Sequence, residues 1–162
     1  MPAQHSQGDP GGLLGHAVEG LTSASFDAFL REGKLVGTRC RSCGTLHVPP
    51  RPICPACHGE EMSWAELSGR GRLVAFTAIH VAPTAMIEAG YGRDNPYCAG
   101  IVELDEGPKI SAQILGVDAA QPQGIAIGTP LRIVFAQLPV ESGAGQEREG
   151  KQRIRLAFKP YL

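Results

Sequence analysis

The chain has 162 residues, 43% hydrophobic and 19% charged, which suffices for one good core or for two small modules in series. Its 15 basic and 16 acidic residues leave a formal charge of -1, so the chain as a whole has no excess positive potential to draw in a polyanion, and nucleic acid loses weight as a partner. No stretch approaches the roughly 18 consecutive apolar residues of a membrane span, and the start has neither the basic region nor the apolar run of a signal peptide; a cytoplasmic protein without a membrane partner is expected.

The first twenty or so residues are rich in Gly, Gln, Ser and Pro, with only Leu13, Leu14 and Val18 as sizeable apolar groups. That is too little burial to offset ordering entropy, and residues 1–21 read as a flexible tail. From Thr22 or Ser23 as N-cap, Phe26, Phe29 and Leu30 fall on one helical face and Gly33 follows as a stop, which predicts a short amphipathic helix. Two phenylalanines ahead of a coreless segment must either cover a barrel or bury in another protein.

Lys34 to about Leu67 holds both cysteine pairs, Pro49, Pro50, Pro52, Pro55 and the single Trp64, and is too short and turn-rich for an apolar core of its own. Ser68-Gly69-Arg70-Gly71 reads as a hinge or tight connection. Five strands are then expected: Arg72 to Val81, Cys98 to Leu104, Lys109 to Leu115, Leu131 to Gln137 and Arg153 to Phe158. The last alternates, with Ile154, Leu156 and Phe158 on one face, and Asp105-Glu106-Gly107 predicts a hairpin between the second and third. Five strands without long helical periodicity between them suit a small closed barrel, of which the OB-fold is the commonest five-stranded form. Of the two long connections, Ala82 to Tyr97 has the apolar and aromatic content to pack on something, whereas Glu141 to Lys151 is polar and expected to be mobile.

Cys40-Arg-Ser-Cys43 and Cys54-Pro-Ala-Cys57 are separated by ten residues, so each pair can form a knuckle and both can meet one tetrahedral ion. In a reducing compartment that pattern points to a structural zinc site, closed by four thiolates and without an open position for Lewis-acid chemistry. Iron stays open as an alternative, because the knuckles also look like those of rubredoxin, and so does a pair of redox dithiols. His47 and His58 lie near in sequence, but four cysteines already complete the shell.

Read in order, Phe26 to Arg31, Gly33-Lys34-Leu35, Cys40-Arg-Ser-Cys43-Gly44, Pro49-Pro50-Arg51-Pro52-Ile53-Cys54-Pro55-Ala56-Cys57, Ser68-Gly69-Arg70-Gly71, Val102 to Gly107 and Ile127 to Leu131 resemble the acyl-CoA-associated zinc-ribbon plus OB-fold proteins long catalogued as domain of unknown function 35. The resemblance implies a mainly β chain with an N-terminal helix and rubredoxin-like zinc ribbon over residues 22–67, then a five-stranded OB-fold barrel over 68–162. It also implies an accessory, non-catalytic subunit of a thiolase-like catalytic protein (a thiolase, acyltransferase or aldolase), with acyl-CoA at the shared interface and the reactive groups on the partner. Three departures stand out: His58 where glycine is common, the polar insert Glu141 to Lys151, and the long tail.

Thiolase-type chemistry needs a cysteine nucleophile, a base and oxyanion donors. Cys98, the fifth cysteine, opens the apolar run Cys98-Ala-Gly-Ile-Val and reads as a small core hydrophobe, so no catalytic residue is expected. Tyr91, Arg93 and Tyr97 combine rigid aromatic area with a cation able to meet a phosphate or carboxylate, and with His80 and the helix face Phe26, Phe29 and Leu30 they are the candidates for substrate or partner contact. Two other functions are compatible with the modules: a single-stranded nucleic-acid binder, which would need a basic groove with stacking aromatics, and a rubredoxin-like electron carrier.

Overall fold

The computed structural model describes residues 20–138 and 153–161; the expected tail up to residue 19 and the expected mobile insert Glu141 to Lys151 lie outside the described residues. Helix α1 (Ser23–Arg31) starts where Thr22 caps it, its hydroxyl accepting from the Ser25 N–H at 3.2 Å. It ends in paired bonds from Gly33 N–H to Leu30 O and from Lys34 N–H to Phe29 O, with Gly33 at φ 74. Only a left-handed residue closes both of those carbonyls, and glycine adopts that conformation without a Cβ clash.

Three short strands follow, β1 (Leu35–Cys40), β2 (Leu46–His47) and β3 (Met62–Leu67), ordered β2-β1-β3 and all antiparallel. Gly37 in β1 makes the close approach of β2 possible, since a Cβ there would stand 2.3 Å from the His47 carbonyl oxygen. Thr38 is fully buried, and its hydroxyl donates to Arg51 O and accepts from Arg51 N–H, at 3.1 and 2.9 Å. That clasp holds the proline-rich connection between the cysteine pairs against β1.

Strands β4 (Arg70–Ile79), β5 (Tyr97–Leu104), β6 (Lys109–Ile114), β7 (Pro130–Leu138) and β8 (Arg153–Pro160) close a barrel in the order β4-β5-β6-β8-β7, with only β6 and β8 parallel. This is the expected five-stranded OB-type barrel, and the β5–β6 hairpin turns at Asp105-Glu106-Gly107 as read, with Gly107 at φ 110. The expected four-residue hinge is shorter. Ser68 and Gly69 alone make the turn, and β4 begins at Arg70, not Arg72, because Gly71 has no Cβ to strike the Glu103 carbonyl 2.3 Å away. At its far end β4 stops at Ile79, so His80 and Val81 fall outside the strand. The Ala82 to Tyr97 connection contains an unforeseen five-residue helix, α2 (Thr84–Glu88), which buries Met86 against the guanidinium of Arg155 on β8.

The ribbon segment lacks a core of its own, as its composition implied, but it does not stand apart. One continuous buried cluster joins Leu30, Leu35, Val48 and Leu67 to Leu73, Cys98, Val102, Leu104, Ile110, Ile114, Leu131 and Phe158. Helix α1 packs on both β1 and β8, and Phe29 meets Trp64 of β3 edge to face with ring centroids 5.0 Å apart. Helix, ribbon and barrel therefore share one interior. Replacing Thr38 by Val keeps the shape but removes both hydrogen bonds that clasp Arg51 to β1; a loss of about 1 kcal/mol is expected in chemical denaturation of the full chain.

Candidate metal centre

The two knuckles are near copies. Residues 40–45 and 54–59 carry the same backbone bonds: Gly44 N–H to Cys40 O and Cys40 N–H to Thr45 O in the first, His58 N–H to Cys54 O and Cys54 N–H to Gly59 O in the second, all 2.8–2.9 Å. Each turn requires a left-handed residue after its second cysteine. Gly44 supplies it at φ 77, and His58 supplies it at φ 60, alone among the described non-glycine residues.

These turns bring the four sulfurs within 4.8 Å of one another, with Cys40 and Cys57 at 3.5 Å and Cys43 and Cys54 at 3.6 Å. Four sulfurs bound at about 2.3 Å around one centre would stand about 3.8 Å apart, so the cage already has the size of a tetrahedral thiolate shell. Cys40 and Cys54 are buried, whereas Cys43 and Cys57 face outward. His58 is exposed and lies outside the cage. His47 lies beside it, its Nε2 3.4 Å from Cys54 Sγ.

The electrostatics of the cage favour a cation. Backbone N–H donation from Cys43 lowers the pKa of Cys40, and the Thr45 hydroxyl and N–H bring Cys43 down to about 6. Cys57 receives the Gly59 N–H, which acts in the same direction, yet the Cys40 and Cys43 sulfurs crowding it push it up to about 12. Some sulfurs are prepared to ionise and one is opposed by its neighbours; a divalent ion at the centre would reverse that opposition.

Cys98, by contrast, is 1% exposed and its thiol is pushed up by burial, which leaves it a core side chain and not a nucleophile. Phe29 and Leu30 are likewise buried in the chain's own interior and present no surface to a second molecule; of the helix face only Phe26 stays half-exposed, packed beside the core. The remaining contact candidates gather at one end of the barrel. Tyr91 and Tyr97 pack with ring centroids 5.4 Å apart, Tyr97 pairs with Ile79 across β4 and β5, and His80 is exposed one residue beyond Ile79. Arg93 is exposed on the turn closed by the Gly92–Asn95 backbone bonds.

The outer face of β4-β5-β6, where a nucleic-acid-binding barrel of this type would stack bases, carries the cross-strand rows Ala75–Ile101–Ser111 and Thr77–Ala99–Gln113. No aromatic ring lies in those rows. In the next row Glu103 bridges Arg72 and Lys109, whose hydrogen bonds, Arg72 first, hold its carboxyl below the usual range and neutralise much of the local charge. Phe158 is buried in the core, and Phe76 and Phe135 are partly buried against it. The face is a poor stacking platform.

Comparison with known proteins agrees with this geometry. The family profile for the ChsH2 rubredoxin-like zinc ribbon domain matches residues 27–63, and that for the ChsH2 C-terminal OB-fold domain matches residues 64–136. A DUF35 domain-containing scaffold protein of Methanocaldococcus jannaschii is 34% identical over 112 residues, covering 68% of this chain and 74% of that one. This chain is a member of the DUF35 family. Benzoylsuccinyl-CoA thiolase subunit BbsA of Thauera aromatica is 37% identical over 82 residues, 51% of this chain and 52% of that protein. Among solved structures, a chain of the Ltp2-ChsH2(DUF35) aldolase has the same fold, with a TM-score of 0.65 at 23% identity, covering 90% of this chain and 98% of that one.

Sequence reasoning found the cage and the barrel but not Thr38, nor the contact between His47 and Cys54; neither residue type carries a motif, and both act through register. The His58 departure was visible, since comparison of the two knuckles aligns it with Gly44. Substituting His58 by Gly removes a left-handed side-chain penalty of about 1 kcal/mol, and thermal unfolding should shift upward by a few degrees. Iodoacetamide applied to the folded chain should leave Cys98 unmodified by mass spectrometry and label it only in denaturant.

Proposed function

We propose that this chain is a non-catalytic accessory subunit of a thiolase-superfamily complex acting on acyl-CoA thioesters, held in shape by a structural zinc ion. The observation that carries the reading is the division between a sulfur cage with all four positions taken and a lone fifth thiol sealed in the core. Nothing among the described residues supplies a nucleophile paired with a base, while a relative sharing half of the chain is named as a thiolase subunit and another as a scaffold.

Cys40, Cys43, Cys54 and Cys57 would hold zinc as thiolates, and the ion would cross-link the knuckles of a segment that has no core of its own. Four sulfurs leave no site for water or substrate, so this chain's contribution is shape. The shared interior joins the ribbon to the barrel, and the Tyr91–Tyr97 loop with Arg93 and His80 would form a rim at one end of it. That rim suits contact with the catalytic partner and the passage of the CoA-bound substrate, where Arg93 can meet a phosphate and the tyrosines give desolvated area. Zinc is favoured over iron because a barrel fused to the ribbon gives a redox centre no evident task, and a colourless protein with one equivalent of zinc would exclude the electron carrier.

Co-expression with the neighbouring gene product, followed by size exclusion and assay of both the complex and this chain alone, tests the division of labour. A stable hetero-oligomer with thiolytic, acyl-transfer or retro-aldol activity confined to the complex is expected; turnover by this chain alone would refute it. Treatment with a zinc chelator should detach the complex along with the ribbon fold, read as loss of co-elution.

A further inference from the structure

His47 and Thr45 stand two residues apart on the segment leaving the first knuckle, so their side chains project to the same side, toward the cage. Thr45 Oγ1 is 3.1 Å from Cys43 Sγ and His47 Nε2 is 3.4 Å from Cys54 Sγ, which gives one partner to a sulfur of each knuckle. His47 is fixed from behind. Its backbone pairs with Thr38 of β1, and the bare Cα of Gly37 lets its carbonyl come to a distance that any side chain there would forbid. The Cys54 backbone is bonded only within its own knuckle, to Gly59 and His58. Among the described contacts, His47 is thus the link between the β2 strand and a second-knuckle sulfur.

We propose that His47 is a positioning residue of the metal centre, donating its Nε2–H to the Cys54 thiolate and so orienting that ligand and spreading its charge. The inference rests on the reading that the four cysteines bind an ion as thiolates. A thiolate can only accept, so the direction of the bond is fixed once the ion is bound: the ring nitrogen donates, and Nε2 carries the proton. Four thiolates around a divalent cation leave an excess of two negative charges in a cage half shielded from water, and outer hydrogen bonds of this kind reduce the repulsion among sulfurs and slow ligand loss. The sequence places His47 near the cysteines without giving it a role; the register of β2 on β1 is what turns it toward the sulfur.

The test loads the full-length chain with cobalt(II) and compares His47→Phe, which fills the space without a donor, with His47→Gln, whose amide nitrogen reaches about as far as Nε2. Loss of the hydrogen bond raises the energy of the sulfur lone pairs, so the sulfur-to-cobalt charge-transfer band should move to lower energy in His47→Phe and return toward the wild-type position in His47→Gln. Zinc transfer to a chromophoric chelator should be about 10–100-fold more favourable from the Phe variant, the range typical of outer-shell losses. A packing defect alone would lower stability without moving the band. In the wild-type chain loaded with cadmium-113, a scalar coupling between the metal and the His47 Hε2 proton is expected, and this measurement stands even if the Phe variant does not fold. An unmoved band in His47→Phe, a Gln variant that matches Phe, a cobalt spectrum with a nitrogen ligand in the wild type, or Nε2 found unprotonated would each overturn the inference. A wild-type chain that takes up neither cobalt nor zinc would overturn the metal reading itself.

Discussion

The crowding of four cysteine sulfurs into one cage is the constraint on which the ribbon depends. Two tight turns force the thiols within 4.8 Å of each other, a packing that neutral thiols tolerate and thiolates do not. The same crowding that drives Cys57 upward creates the potential that would hold a divalent ion. On the proposed metal reading, folding of this segment and capture of a cation would be one event, with the Thr45 and His47 contacts and the knuckle amides moderating its cost.

A cross-linked ribbon becomes useful only through what it is attached to. Leu30, Leu35, Val48 and Leu67 extend the barrel interior into the ribbon, so the two parts are continuous across the turn at Ser68 and Gly69. The Ser68 N–H also donates to the Glu106 carboxylate of the β5–β6 turn, which braces that junction from outside. Rigid relative placement is the property expected of a subunit that presents surfaces to an enzyme and leaves the chemistry to it.

Much of this was legible in the residues themselves, for physical reasons that differ from element to element. The cysteine spacing encodes ligand geometry directly, and strands such as Arg153–Pro160 declare themselves by large apolar residues at every second position, Ile154, Leu156 and Phe158. Element ends were less legible: β4 gains Arg70 and Gly71 because the missing Cβ at Gly71 permits pairing where glycine by itself suggests a break. Helix α2 spans less than two turns, too short for a periodic signal. The face of Phe26, Phe29 and Leu30 was correctly seen as apolar, but an amphipathic pattern does not say which surface covers it; here the chain covers most of it itself. Thr38 and His47 owe their roles to cross-strand register, which a linear pattern does not contain.

Trp64 offers a practical consequence of the architecture. The chain has a single indole, near the middle of strand β3, seated against Phe29 of the helix and opposite Thr38 of the strand that leads into Cys40. Its emission therefore samples the seam among three elements whose mutual placement depends on the sulfur cage, and it does so without a label. Because no second indole dilutes the signal, titrations of metal, denaturant or a companion protein report on that seam directly.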